Sequence, residues 1–162
     1  MTRLMLPVDA PPVAVVRAGR QFLLVAVEAV AAGARLLEIN GAECAQANQW
    51  SVQVGPGTHI VVLPEVDLEA QLDRYPWRFM NHNCDPNTRI DGREVHALRA
   101  IAPGDEVTFD YNTTEWDLAA PFPCRCSSAH CGGVIRGFAH LAPAERARLR
   151  PLLAAHLRVE RR

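Results

Sequence analysis

Glycine, proline and asparagine cut the first two thirds of this chain into short apolar pieces at intervals of about ten residues, the rhythm of a mainly β domain. Residues 13–16 are apolar and β-branched, and Arg17-Ala-Gly-Arg20 turns them. The run over residues 22–30 ends at Ala-Ala-Gly33, and residues 36–39 stop at Asn40-Gly41, a strong hairpin-type signal. Residues 51–54 break at Gly55-Pro-Gly57, and residues 58–63 end at Pro64. Two further strands are predicted over 94–100 and 106–111, with a turn at Pro103-Gly104. Residues 64–75 suit a brief helix. From Ala142 onward the spacing of Ala, Leu and Arg is helical. Pro143 fits a first turn and Glu145 complements the dipole, while Pro151 must kink or split the helix.

Composition narrows the function classes. The 162 residues suit one domain, and 49% hydrophobic with 22% charged residues marks a folded one. No apolar run reaches the roughly 18 residues that a membrane helix needs. Residues 1–12 hold three prolines, one Arg and no apolar core, so no secretory signal is expected. Seventeen basic residues against eighteen acidic ones exclude a nucleic-acid grip built on bulk charge. All seventeen are Arg, and the chain has no Lys. With 24 Ala, that bias is what a skewed coding composition gives.

Three segments carry chemistry. Arg78-Phe-Met-Asn-His-Asn-Cys-Asp-Pro-Asn87 crowds polar and coordinating groups into one stretch. An Asn/Asp-rich turn accounts for Asp85-Pro86-Asn87, but not for Asn81, His82 and Cys84. Gly104-Asp-Glu-Val-Thr-Phe-Asp-Tyr111, taken alone, is a turn and an amphipathic strand. Cys124, Cys126 and Cys131 crowd three of the five cysteines into eight residues. An odd, clustered set argues for metal ligation in a reducing compartment, hence the cytoplasm, rather than a disulfide framework. Three thiolates around Zn²⁺ need a fourth ligand, and Cys84, Cys44, His130 and His140 are the candidates. A four-ligand site is structural, because it leaves no open position.

In this order, the three segments resemble the SET-domain protein lysine methyltransferases with a post-SET zinc motif. The first looks like the family's Arg-Phe-x-Asn-His-x-Cys-x-Pro-Asn, the second its Gly-Glu-Glu-Leu-x-Phe/Tyr-Asp-Tyr, the third its Cys-x-Cys-x4-Cys. The resemblance implies short β-sheets around a pseudoknot, in which the Asn-His segment threads beside the strand ending at Tyr111. It divides the chain into a SET domain (13–112), a post-SET zinc segment (113–137) and a C-terminal helical appendage (138–162). It also implies S-adenosylmethionine as cofactor and a lysine-containing protein or peptide, histones included, as substrate. Neither nucleic acid nor membrane is an expected partner, and a eukaryotic source would also allow the nucleus.

Carried over residue by residue, the resemblance gives Arg78, Asn81 and His82 to the cofactor. Tyr111 becomes the catalytic tyrosine, and Phe109 tunes the number of methyls, a Phe there allowing di- or trimethylation. Cys84 becomes the fourth zinc ligand beside Cys124, Cys126 and Cys131, with Cys44 a buried thiol and His130 and His140 at the surface. No metal or unusual general base is required for the transfer. The family's Gly-x-Gly cofactor loop falls at Gly19-Arg20-Gln21, where the second Gly is missing. That departure supports an alternative, a SET-like module that binds a peptide or partner without catalysis. Tyr75-Pro76-Trp77 replaces the family's Gly-Asn, and Trp116 or Phe122 stands where an aromatic could cover the adenine.

Overall fold

The structure is a computed structural model that describes residues 10–159. Residues 1–9, most of the segment expected not to be a secretory signal, lie outside the described residues, as do 160–162. Among the described residues, twelve short strands make five small sheets. β1 (Val13–Ala18) and β2 (Gln21–Ala26) form a hairpin. β3 (Arg35–Glu38), β8 (Thr88–Asp91) and β9 (Glu94–Ala97) form a three-stranded sheet in the order β3-β9-β8. β4 (Ala42–Cys44), β5 (Val52–Gly55) and β6 (Thr58–Val61) form another, in the order β4-β6-β5. β11 (Phe122–Pro123) pairs with β12 (Val134–Ile135).

The remaining pair sets the topology. β7 (Asn81–His82) lies parallel to β10 (Thr108–Phe109), with Asn81 opposite Thr108 and His82 opposite Phe109. Side chains hold this crossing where the ladder is only two residues long. The Asn87 amide accepts from the Thr108 N–H at 2.9 Å and donates to the Glu106 carbonyl at 2.8 Å. The Thr88 hydroxyl donates to the Thr108 carbonyl at 2.7 Å. The expected strand over 106–111 is reduced to the two residues of β10, with Glu106 bridged to Val25 of β2 and side-chain amides and hydroxyls supporting the crossing.

Asn40-Gly41 does not close a hairpin. β3 before it pairs with β9, and β4 after it pairs with β6, so the dipeptide carries the chain from one sheet to the next. Gly41 has φ 148° and lies so close to the Val61 carbonyl that a Cβ there would collide with it. Close approach of backbone, not a hairpin, demands this glycine.

The expected helix over 64–75 is α1 (Leu68–Arg74), capped by the Asp67 carboxylate on the Ala70 N–H. Its chain leads through a 3₁₀ turn, Pro76–Phe79, directly into β7. The main core fills the space between the sheets. Leu24, Ile39, Ile60, Ile90, Val95, Ile101 and Val107 are essentially inaccessible, and each such side chain contributes about 1.5–3 kcal/mol. Trp77 joins them, its indole N–H donating to the Asn40 carbonyl at 2.9 Å.

Pro151 splits the C-terminal helix as expected, into α2 (Pro143–Leu149) and α3 (Ala155–Arg158) with a 3₁₀ turn between them. Leu149, Leu153 and Leu157 form a second small core with Phe138. The Ala154 N–H and the His156 ring bond the carbonyls of Thr113 and Thr114, tying this region to the segment after Tyr111. Among the described residues no helix is long and apolar enough to cross a membrane.

Candidate active site and metal centre

His82 is the junction of the site. It emerges from β7 almost fully buried, and burial takes its pKa down to about 4, so the ring is neutral. Its Nδ1 accepts the backbone N–H of Tyr111 at 3.1 Å. That acceptance leaves the ring proton on Nε2, which lies 3.1 Å from Sγ of Cys84. One imidazole thus connects the end of the 106–111 segment to the cysteine cluster.

Sγ atoms of Cys84, Cys124, Cys126 and Cys131 all lie within 4.8 Å of one another. Zn–S bonds of about 2.3 Å in a tetrahedron put sulfurs about 3.8 Å apart, and Cys84 and Cys124 are 3.9 Å apart. Ser127 adopts φ 61°, a left-handed turn that swings the chain between Cys126 and Cys131 around the centre. Burial pushes the Cys84 thiol up, and Cys124 to about 11. Burial works against Cys126 too, but backbone N–H groups of Cys84 and Ser128 outweigh it and bring that thiol down to about 7. Four convergent sulfurs fit a structural zinc ion. Cys44 stands apart, its thiol on the Gln46 carbonyl, and it is only half-buried rather than buried as expected. His130 and His140 are at the surface, as expected.

Two cavities meet at Tyr111. The larger, about 700 Å³, is lined by Gln21 and Leu23 of β2, Asn81, His82, Glu106 and Phe122, and reaches Cys124 and Cys126. The smaller, about 120 Å³, is walled by Trp77, Met80, Phe109, Glu115 and Arg78. Asn81, Tyr111, Gln49 and Trp50 line both. The Tyr111 hydroxyl donates to the Met80 carbonyl at 2.7 Å. Burial, and then the charges of Glu106 and Glu115, raise its pKa, so the phenol keeps its proton. Phe109 packs against it with ring centroids 4.7 Å apart, and Phe122 lies 5.8 Å from both Tyr111 and His82. The Asn81 amide donates to Glu106 at 2.9 Å.

The structure thus brings Asn81, His82, Phe109, Tyr111 and all four cysteines into one centre. Arg78 lies on the smaller cavity, its guanidinium 4.5 Å over the Trp50 ring and its Nε buried without a partner among the described residues. Gly19 and Arg20 form the exposed β1–β2 turn, and Gln21 and Leu23 are the residues that reach the larger cavity. Phe122 lies on that cavity, whereas Trp116 packs on Phe138.

A SET domain family model matches residues 21–112 of the 162. The chain belongs to the SET-domain family. Methyltransferase flvH of Aspergillus flavus is 35% identical to this SET-domain protein over 114 residues, 67% of this chain and 58% of that protein. Histone-lysine N-methyltransferase ash1 of Drosophila melanogaster is 40% identical over 68 residues, 37% of this chain and 3% of that one. The chain therefore spans little more than half of the first relative and a small part of the second. A crystal structure of KRYPTONITE in complex with mCHG DNA and SAH superimposes with a TM-score of 0.57 at 21% identity, covering 75% of this chain and 28% of that one. That likeness shows the SET fold.

Sequence reasoning missed Glu106, Trp50, Gln49 and Glu115. Glu106 stood inside a recognised segment, but only the fold brings its carboxylate to the Asn81 amide. Trp50, Gln49 and Glu115 lie in loops without periodicity, so only the fold could bring them to the site.

Proposed function

We propose that this chain transfers methyl groups from S-adenosylmethionine to the Nε of a protein lysine. The observation that carries this reading is the position of Tyr111, whose ring forms the shared wall of two cavities, one of cofactor size and one narrow and aromatic. Relatives named as methyltransferases and histone-lysine N-methyltransferases support it. So does the likeness to a crystal structure of KRYPTONITE in complex with mCHH DNA, an H3(1–15) peptide and SAH.

Asn81, His82 and Glu106 would hold the cofactor against β2, with Phe122 available to stack on its base. Bound there, S-adenosylmethionine supplies an electrophilic sulfonium methyl. The smaller cavity receives the lysine side chain between Trp77, Phe109 and Tyr111, which exclude water and orient the amine. Lysine ordinarily titrates near about 10.4, and only its neutral form can attack. A dry, aromatic cavity disfavours the ammonium. The protonated Tyr111 hydroxyl and the Met80 carbonyl lie together where the two cavities meet, and fix the line of approach. Phe109 brings no hydroxyl to this wall, leaving room for an amine that already carries methyl groups, so di- or trimethylation is the proposed outcome.

Zinc held by Cys84, Cys124, Cys126 and Cys131 would serve structure alone. It would pin a post-SET segment (113–137) across the SET domain (13–112), with α2 and α3 of the C-terminal appendage behind it. The reduced thiol cluster fits a cytoplasmic or nuclear compartment, and core histones are the first substrates to try. Gln21 in place of a second loop glycine keeps one other reading alive, a partner-binding module without catalysis.

Labelled S-adenosylmethionine incubated with the protein and core histones or a cell lysate tests the proposal. Transfer to lysine that falls about a hundredfold or more in Tyr111→Phe is expected. No detectable cofactor binding by calorimetry would leave the module reading instead. The chain has no lysine, so any methyl-lysine signal comes from another protein or a tag.

A further inference from the structure

Among the described residues Glu115 is the one carboxylate on the smaller cavity, and neither the sequence motifs nor the scheme above use it. It is only 4% exposed. Oε1 accepts the Gln53 backbone N–H at 2.7 Å and lies 3.3 Å from the Thr114 hydroxyl. Oε2 has a different neighbour. It lies 3.9 Å from Nδ1 of His59, a buried nitrogen with no hydrogen-bond partner among the described residues. One oxygen is therefore anchored to β5 and to its own loop. The other faces an empty acceptor on β6.

We infer that Glu115 is the proton acceptor of the lysine cavity, taking a proton from the substrate ammonium and passing it to His59. This rests on the lysine-methylating reading above. In the step, an N–H bond of the ammonium breaks and an O–H bond forms on Glu115, leaving a neutral amine and a neutral carboxylic acid. The amine lone pair is then free to form the C–N bond. Glu115 afterwards gives its proton to Nδ1 of His59, which is 7% exposed and releases it to water. One proton leaves per methyl transferred, as the charge balance of the reaction requires.

Surrounding groups suit the role. Burial holds the Glu115 carboxyl at about 7, so it can both take and return a proton near neutral pH. Burial, then the charge of His156 on α3, lowers the His59 pKa, so the imidazole does not keep the proton. Arg78 lines the same cavity, and the Glu115 charge reaches Tyr111. Trp50, Trp77 and Phe109 complete the apolar walls of that cavity.

The test needs no known substrate. The Glu115 carboxyl is followed by ¹³C NMR through a pH titration in the presence of S-adenosylhomocysteine. The signal is assigned by loss in Glu115→Gln, or in Glu115→Asp if the first variant does not fold. n-Butylammonium, the lysine head without its peptide, is then added, with n-butanol as control. The Glu115 inflection should fall by about one pH unit or more with the amine alone, the effect of a nearby opposite charge. An inflection that the amine does not move at any concentration overturns the inference. A second arm uses core histones. Wild-type kcat should level off above about pH 7, while Glu115→Gln should lose about a hundredfold at neutral pH and recover towards about pH 10. Parallel wild-type and variant profiles would also overturn it. Absence of transfer by wild type at any pH sinks the lysine-methylating reading instead, and the n-butylammonium titration still decides Glu115.

Discussion

The backbone N–H of Tyr111 points at Nδ1 of His82, 3.1 Å away, which couples the two strands of the crossing. The same ring reaches Cys84 through Nε2. The cysteine cluster and the two cavities are therefore joined through one side chain. A shift of Cys84 moves the imidazole, and the imidazole sets where Tyr111 leaves β10. An N–H donated to a metal-bound sulfur also stabilises the thiolate, as second-layer partners of metal ligands generally do.

Cys84→Ser should lose both metal and methyl transfer. His82→Phe keeps the ring volume but removes both hydrogen bonds. It should weaken zinc binding about 10–100-fold while leaving the four sulfurs in place. Metal content by mass spectrometry and competition with a chelator measure both. Stoichiometric zinc with full activity in Cys84→Ser would refute the ligand assignment.

Much of this site was legible in the sequence because its parts are contiguous. Asn81, His82 and Cys84 sit within four residues, Phe109 and Tyr111 within three, and Cys124, Cys126 and Cys131 within eight. Turn residues likewise marked most strand ends. What failed was the use of Asn40-Gly41, because a dipeptide signals a bend without saying which strand comes next. Strand β8 was not foreseen, since Thr88–Asp91 alternates too briefly to stand out. Glu115 and His59 lie 56 residues apart and meet only when β5 and β6 dock under the segment after Tyr111. No local pattern announces such a pair.

Phe109→Tyr should shift the products towards monomethyl-lysine. Phe109 is 4% exposed and packs on Tyr111 at 4.7 Å, so an added hydroxyl projects into the space that a methylated amine would fill. That hydroxyl can hold a water and restrict the amine. Mass spectrometry of the modified peptide reads the distribution directly. An unchanged distribution would remove Phe109 from the product-determining role.

Gly137→Ala should destabilise the fold. Gly137 has φ 106°, and an added Cβ would press on the backbone of residues 116–118. Its N–H also donates to the buried Asn112 side chain at 3.0 Å. A β-carbon would have to push two packed segments apart in a backbone region that L-residues avoid. A loss of about 1–3 kcal/mol is expected, or a Tm fall of several degrees. Thermal unfolding measures it, and a Tm within a degree of wild type would show that the 116–118 segment yields freely.

Glu115→Gln should make the protein more stable above neutral pH and leave it nearly unchanged in acid. Burial raises this carboxyl from an ordinary 4.5 to about 7. Between those values the folded protein keeps a proton that the unfolded chain releases, so stability falls as pH rises. The contribution is fully present below the unfolded value and lost as pH passes the folded one. A difference of this size corresponds to about 3 kcal/mol at most. Asp110, raised by burial to about 6, acts in the same direction, while His82, lowered by burial to about 4, acts in the opposite one. Only the Glu115 contribution disappears in the variant. The Gln carbonyl can still accept from Gln53, and its amide meets the free Nδ1 of His59 where Oε2 stood. Urea unfolding at about pH 5 and about pH 8 should therefore show the variant's advantage growing with pH. An equal offset at both would mean that the carboxylate is ionised in the folded protein with its ordinary pKa. The proton acceptor proposed for the lysine cavity would then lose its support together with this prediction.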